Sequence, residues 1–180
     1  MQQSYRIRKI IIERATREDF PASLIQHIRY IDPVIWPSLL GVYELLQLRD
    51  QRFNGDDVAV ILCGKSYPKQ ASEQVLKSLL TSRRVSPFHF TAANAAASIS
   101  MICATFHFHG PTLNLCMPVQ TVLPTIEVII QHWLSQDLKT IFVIKQDYES
   151  HAEVEHIFVE DERIENAFSD VNRNSDNESF

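Results

Sequence analysis

In the stretch HGPTLNLCMPVQTVL, His109 to Leu123, an imidazole and a thiol lie seven residues apart. The pattern reads as a strand, a short turn and the start of a helix. A thiol at such a junction gains thiolate character from the helix dipole, and the free amides there can hold an oxyanion. Cys116 supplies a thiol, but Met117, Pro118 and Val119 stand where the helix should begin. Cys103 and His107 lie just upstream, and with His109 and Cys116 they make a residue set that suits zinc. Their spacing does not suit it. There is no C-x₂-C pair, and the four straddle a helix, a turn and a strand. Alternation in FHFHG instead puts two aromatic rings on one side and two imidazoles on the other, so structural histidines and no metal are expected. Cys63 ends an apolar run and is expected to be a buried, inert thiol. No G-x-G-x-x-G, G-x-x-x-x-G-K-[ST] or G-x-S-x-G occurs, and the chain has 4 glycines. No cofactor is expected.

The elements that must position these residues follow from periodicity. YRIRKIIIER, residues 5–14, is a strand. Asp32-Pro33 opens a helix through VIWPSLLGVYELLQL, and Asn54-Gly55 marks a turn. DVAVILCG, residues 57–64, is a buried strand. Pro68 starts a helix whose Val75, Leu76, Leu79 and Leu80 form one stripe. After Ser86-Pro87, 8 of the 10 residues from Thr91 to Ser100 are Ala, Ser or Thr, which predicts one closely packed helix over 91–106. TLNLC is a strand, TVLPTIEVIIQHWL a helix, and KTIFVIKQD and EHIFVE are strands. Strands alternating with helices argue an α/β layered sheet.

The chain has 180 residues and a formal net charge of −5. The segment from Glu160 carries 7 acids and 2 arginines, so the rest balances at zero. A nucleic-acid binder would show a basic surplus, and none exists. No apolar run is long enough to span a membrane, and the basic amino terminus lacks a signal-peptide core. A cytoplasmic protein is expected, with one domain over 1–160 and a disordered acidic tail over 161–180.

SPFHFTAANAAASISMICATFHFHGPTLNL, an apolar helix and KTIFVI together resemble the N-terminal half of the β-ketoacyl synthases, of the thiolase fold. The family pattern runs Ser-Pro, alanine-rich helix, Gly-Pro, strand, nucleophile, helix, strand. The 26 residues from Ser86 to Pro111 keep that spacing without a gap. DPVIWPSLLGVYELL and DVAVILCG extend the likeness, which covers most of residues 30–147. It implies half of a thiolase-like fold, a mixed β-sheet covered by helices. The departures matter as much. Ala96 stands where the family usually has Asn, with Asn94 two residues earlier, and Ser100 where glycine is usual. The nucleophile position, eight residues after the Pro of Gly-Pro, falls on Val119, which cannot form a thioester. Cys116 is three residues too early and is expected within the strand, pointing into a packed layer. The family's second half supplies two histidines, and no H-G-T-G-T-like segment is present here. No catalytic residue is therefore expected.

The resemblance is nearest to the chain-length factors, inactive partners of ketosynthases in type II polyketide systems. The short ones that match only the N-terminal half are associated with aryl polyene pigments. Many chain-length factors carry Gln at the nucleophile position; here Gln120 is one residue later. This implies a catalytic ketosynthase as partner, with the strand Thr112, Leu113, Asn114, Leu115 and Cys116 pairing antiparallel with its counterpart. Ala92, Ala95, Ala96 and Ile99 would share a helix face, either lining an acyl tunnel or packing tightly. Ser82, Arg83 and Arg84 would meet an acyl carrier protein transiently, or be a solvated loop. Two rival readings are an acyltransferase using Cys116 and a homodimeric scaffold without a catalytic partner.

Overall fold

Two unbroken apolar runs organise the molecule. The computed structural model describes residues 5–28, 31–48, 54–65, 68–136, 138–146 and 154–161. In it, β2 (Val58–Cys63) and β4 (Thr140–Gln146) lie side by side in parallel, Val58 opposite Thr140 and Cys63 opposite Lys145. All of β2 is buried, and so is β4 apart from half-buried Lys145. A strand shows successive side chains to opposite faces, so such runs require cover on both. Val58, Val60, Leu62, Phe142 and Ile144 face one core. Ala59, Ile61, Cys63, Ile141 and Val143 face the other.

The first core is closed by α2 (Ile35–Gln47) and α5 (Ala97–Phe106), through Leu39, Val42, Leu45, Ile99 and Ile102. The second is closed by α6 (Val119–Ser135), through Val122, Ile126 and Leu134. Three strands complete a five-stranded sheet of order β1-β5-β4-β2-β3, with β1 at Tyr5–Ile12, β3 at Thr112–Leu115 and β5 at Val154–Asp161. β3 runs parallel to β2, whereas β5 is antiparallel to both β4 and β1. The expected mixed sheet covered by helices is what forms. A 3₁₀ turn at Arg17–Asp19 and a single helical turn, α1 (Ala22–Ile25), were not legible in the sequence. Phe20 and Ile25 there seal the rim of the first core.

α6 lies over β2 and β4 on its face of the sheet. Beyond it, Ile7 and Ile11 on β1 are 66% and 52% exposed. Between them in the strand, the Lys9 ammonium reaches the Glu155 carboxylate at 2.8 Å, and Lys145 joins it at 3.4 Å. Burial works against the Glu155 charge, but the two ammoniums outweigh it and hold the carboxyl below its ordinary value.

α3 (Lys69–Ser82) departs from expectation. It buries only Ala71, and Leu76, Leu79 and Leu80 are exposed while Val75 is half-buried. The helix packs against α4 (Pro87–Ala92) rather than the sheet, so its apolar stripe faces outward. No helix among the described residues is long and apolar enough to cross a membrane. Of the segment read as an acidic tail, only Asp161 is described, as the last residue of β5; 162–180 lie outside the described residues.

Buried Asp32 ties two helix starts together. Its Oδ1 accepts the Val34 amide at 3.1 Å, and its Oδ2 accepts the Ala71 amide of α3 at 2.9 Å. Helix N-termini leave such amides without helical partners, and a carboxylate satisfies them. Asp32→Ala is expected to lower stability by about 1–3 kcal/mol, and Asp32→Asn by less, since it keeps one acceptor. Urea midpoints with an unchanged denaturant slope check this; equal losses for both variants would count against the two-ended role.

Candidate functional site

The strand–turn–helix junction is placed by close backbone approaches that only glycine permits. A Cβ on Gly110 would lie 2.3 Å from the Val58 carbonyl oxygen, and one on Gly55 would lie 1.9 Å from the His107 carbonyl oxygen. The His109 amide donates to Gly55 O at 2.9 Å, and the Val60 amide to Pro111 O at 3.1 Å. α5 ends with His107 in the left-handed region, φ 56°, and the Phe108 amide donates back to Cys103 O at 3.0 Å. Phe108 then stacks between Phe106 and Phe142, at centroid distances of 5.7 and 5.4 Å, while His107 and His109 are exposed. The alternation in FHFHG thus sorts rings from imidazoles. Among the described residues, no three His, Cys, Asp or Glu side chains are grouped to hold a metal ion.

Cys116 is not in the strand. β3 ends at Leu115 because its partner ends at Cys63, where Gly64 turns the chain away at φ 131°. The Met117 amide donates to Leu115 O at 2.8 Å, a three-residue turn centred on Cys116, whose side chain is exposed. The expectation that it points into a packed layer is therefore corrected. Val119 is the first residue of α6, half-buried and packed against the second core. The position that the resemblance gives to the nucleophile does open a helix, and it holds an aliphatic side chain.

The alanine-rich segment is not one helix. α4 ends at Ala92 and α5 begins at Ala97. Asn94 makes the break: its Oδ1 accepts the Ala96 amide at 2.9 Å, and its carbonyl accepts the Ala97 amide at 2.9 Å. Asn competes with a helix in this way, by bonding the backbone two residues on. Ala92, Ala95, Ala96 and Ile99 consequently share no single helix face. Ile99 is buried in the first core, and Ala95 is exposed in the α4–α5 connection. The Asn114 side-chain amide donates to Ala95 O at 3.0 Å, which fastens that connection to β3. Thr112 is exposed and Leu113, Asn114 and Leu115 are half-buried; among the described residues β3 has one ladder partner, β2.

Ala92 and Ala96 do line a cleft, of about 700 Å³. Its floor is small because α5 presents Ala97, Ser100 and Ala104, and Phe88 and Met101 also line it. The small-residue composition was the sequence signal for this space. The contributions of Ile31 and Ile35, from before and within α2, carried no such signal. Arg83 and Arg84 are exposed at the end of α3.

Neither a protein-family model nor a curated protein matches the sequence. Among solved structures, the chain is similar to a chain of the complex of the ketosynthase ApeO with its chain length factor ApeC, from Xenorhabdus doucetiae. The TM-score is 0.57 at 9% identity, over 83% of this chain and 63% of that one. This chain therefore spans less than two thirds of the length of the chain it matches. The shared property is the fold: a thiolase-like mixed sheet with helices on both faces.

The three thiols are expected to separate by environment. Burial pushes Cys63 and Cys103 up to about 11, so both stay protonated and unreactive well above neutrality. Titration with a thiol-reactive disulfide at pH 8 should modify Cys116 in the native protein, and all three residues in denaturant. Fast native reaction at Cys63 would contradict the buried β2.

Proposed function

We propose that this chain is a non-catalytic, chain-length-factor-like subunit that pairs with a catalytic ketosynthase in cytoplasmic type II polyketide biosynthesis of the aryl polyene kind. The observation that carries it is Val119 as the first residue of α6. A helix start with free amides favours a thiolate and an oxyanion there, and valine offers no atom to carry an acyl group. The likeness of fold to a ketosynthase–chain length factor complex supports the same reading.

Two surfaces support a partner. The first is the outer edge of β3. The Pro111 and Leu115 carbonyls turn inward to β2, so the intervening Thr112 and Asn114 backbone groups turn outward. An edge whose outward groups have no ladder partner among the described residues favours strand addition, and here the added strand would be the counterpart in the ketosynthase. The second is the exposed apolar set Leu76, Leu80, Phe88 and Phe90 on α3 and α4. Between them, the cleft at Ala92 and Ala96 would contribute to the space that receives the growing chain. Arg83 and Arg84 would attract an acidic acyl carrier protein in passing.

Thr112→Pro tests the pairing. It deletes an outward amide and leaves the β2 ladder intact, a substitution edge strands tolerate. The wild-type chain should co-purify with a co-expressed ketosynthase from the same gene neighbourhood, and the variant should lose most of it while keeping its own thermal midpoint within a few degrees. Equal recovery of both would remove the edge from the interface. A homodimeric scaffold would instead show self-association and no capture of the ketosynthase.

The exposure of Cys116 favours one other reading, an acyltransferase using that thiol. Against it, the thiol lies before the helix start and has no hydrogen-bond partner among the described residues. Incubation with an acyl thioester followed by intact mass is expected to leave the chain unmodified. An acyl adduct mapped to Cys116 would establish the rival reading.

A further inference from the structure

At the edge of the sheet opposite β3, the second-core face ends in an apolar strip. Ile7 of β1 stands across from Val159 of β5, Lys9 from Ile157 and Ile11 from Glu155. Directly opposed residues of an antiparallel pair share a face. Val159 and Ile157 pack into the second core, so Ile7, Lys9 and Ile11 point to that side of the sheet. There Ile7 and Ile11 are exposed and Ile157 is half-buried. The two isoleucines lie about 13 Å apart along the strand, at the rise of an extended chain.

We propose that residues 162–171 of the same chain fold back across this strip as a helical segment, with Ile164 over Ile7 and Val171 over Ile11. The chain leaves the sheet in the right place. β5 ends at Asp161, opposite Tyr5, two residues from Ile7 on the strand pair that carries the strip. The segment also has the right pattern. Its composition reads as an acidic tail, but Ile164, Ala167, Phe168 and Val171 fall at the spacing that gathers side chains on one helix face. Glu165, Asn166, Ser169 and Asp170 fall on the other. A helix from 164 to 171 spans about 10 Å, which matches the strip. Charge favours this occupant over a second copy of the protein. β1 carries Arg6, Arg8 and Lys9 and no acid, so two copies laid edge to edge would bring like charges together. Residues 162–180 carry 5 acids and 2 arginines, the complementary sign.

Hydrogen exchange of the full-length chain, read by mass spectrometry on peptides from 5–12, 162–171 and 172–180, tests this. After correction for intrinsic rates, 162–171 is expected to exchange about tenfold more slowly than 172–180, the scale of a weakly docked local element. Phe168→Ser, which changes no residue of the sheet, should abolish that difference. Ile7→Thr combined with Ile11→Thr should abolish it from the other side of the contact, since threonine suits a strand and keeps β1 paired. Unchanged exchange of 5–12 checks that pairing, and if it is lost Phe168→Ser alone decides. Equal exchange of 162–171 and 172–180 in the wild-type chain overturns the proposal, as does a difference that survives Phe168→Ser. Protection that grows with protein concentration, alongside a dimer in sedimentation, assigns the strip to a second copy and equally overturns it. β3 lies at the other edge of the sheet, so each of these outcomes leaves the pairing with a ketosynthase untouched.

Discussion

The parallel pairing of β2 with β4 is the interaction on which the rest depends. Two strands buried on both faces cannot exist without helices above and below, and these two specify which helices. Alternate residues of β2 hold α2 and α5 on one side and α6 on the other. Because β2 also pairs with β3, it fixes where that edge strand ends, and with it where α6 begins. The position of Val119 is thus set by packing two strands away, through Gly64 and the end of the β2–β3 ladder.

The same arrangement leaves surface unsatisfied. The outer edge of β3 has no ladder partner among the described residues, and the leucines of α3 and the isoleucines Ile7 and Ile11 of β1 are exposed. Backbone donors and acceptors at a sheet edge favour another strand. The helix start carries an aliphatic residue, Val119, and small residues line a cleft formed by α4 and α5. A subunit that assembles and shapes, rather than reacts, is consistent with both facts.

The sequence made the centre of this fold legible and blurred its margins, for physical reasons. β2, β4 and α6 are long, strongly patterned and buried, so their periodicity carries the packing. Gly110-Pro111 announced the junction because no other residue than glycine fits against Val58 O. The alanine-rich segment misled because composition favours helix while one side chain, Asn94, bonds locally and breaks it. α3 misled because an apolar stripe at helical spacing says that a face is covered, and not by what. Cys116 misled because a strand's end is set by its neighbour's length, which lies elsewhere in the chain. The cleft at Ala92 and Ala96 required the α1–α2 region and α4 to be brought together, which no local pattern encodes.

Amide hydrogen exchange bears most directly on the central claim, that the outer edge of β3 is completed by a partner strand. Exchange would be followed over residues 111–116 in the chain alone and in the complex purified with its co-expressed ketosynthase. The expected result is marked protection of the Thr112 and Asn114 amides in the complex only, with β2 and β4 protected in both states. Unchanged exchange at those two amides in a complex that otherwise forms would contradict it.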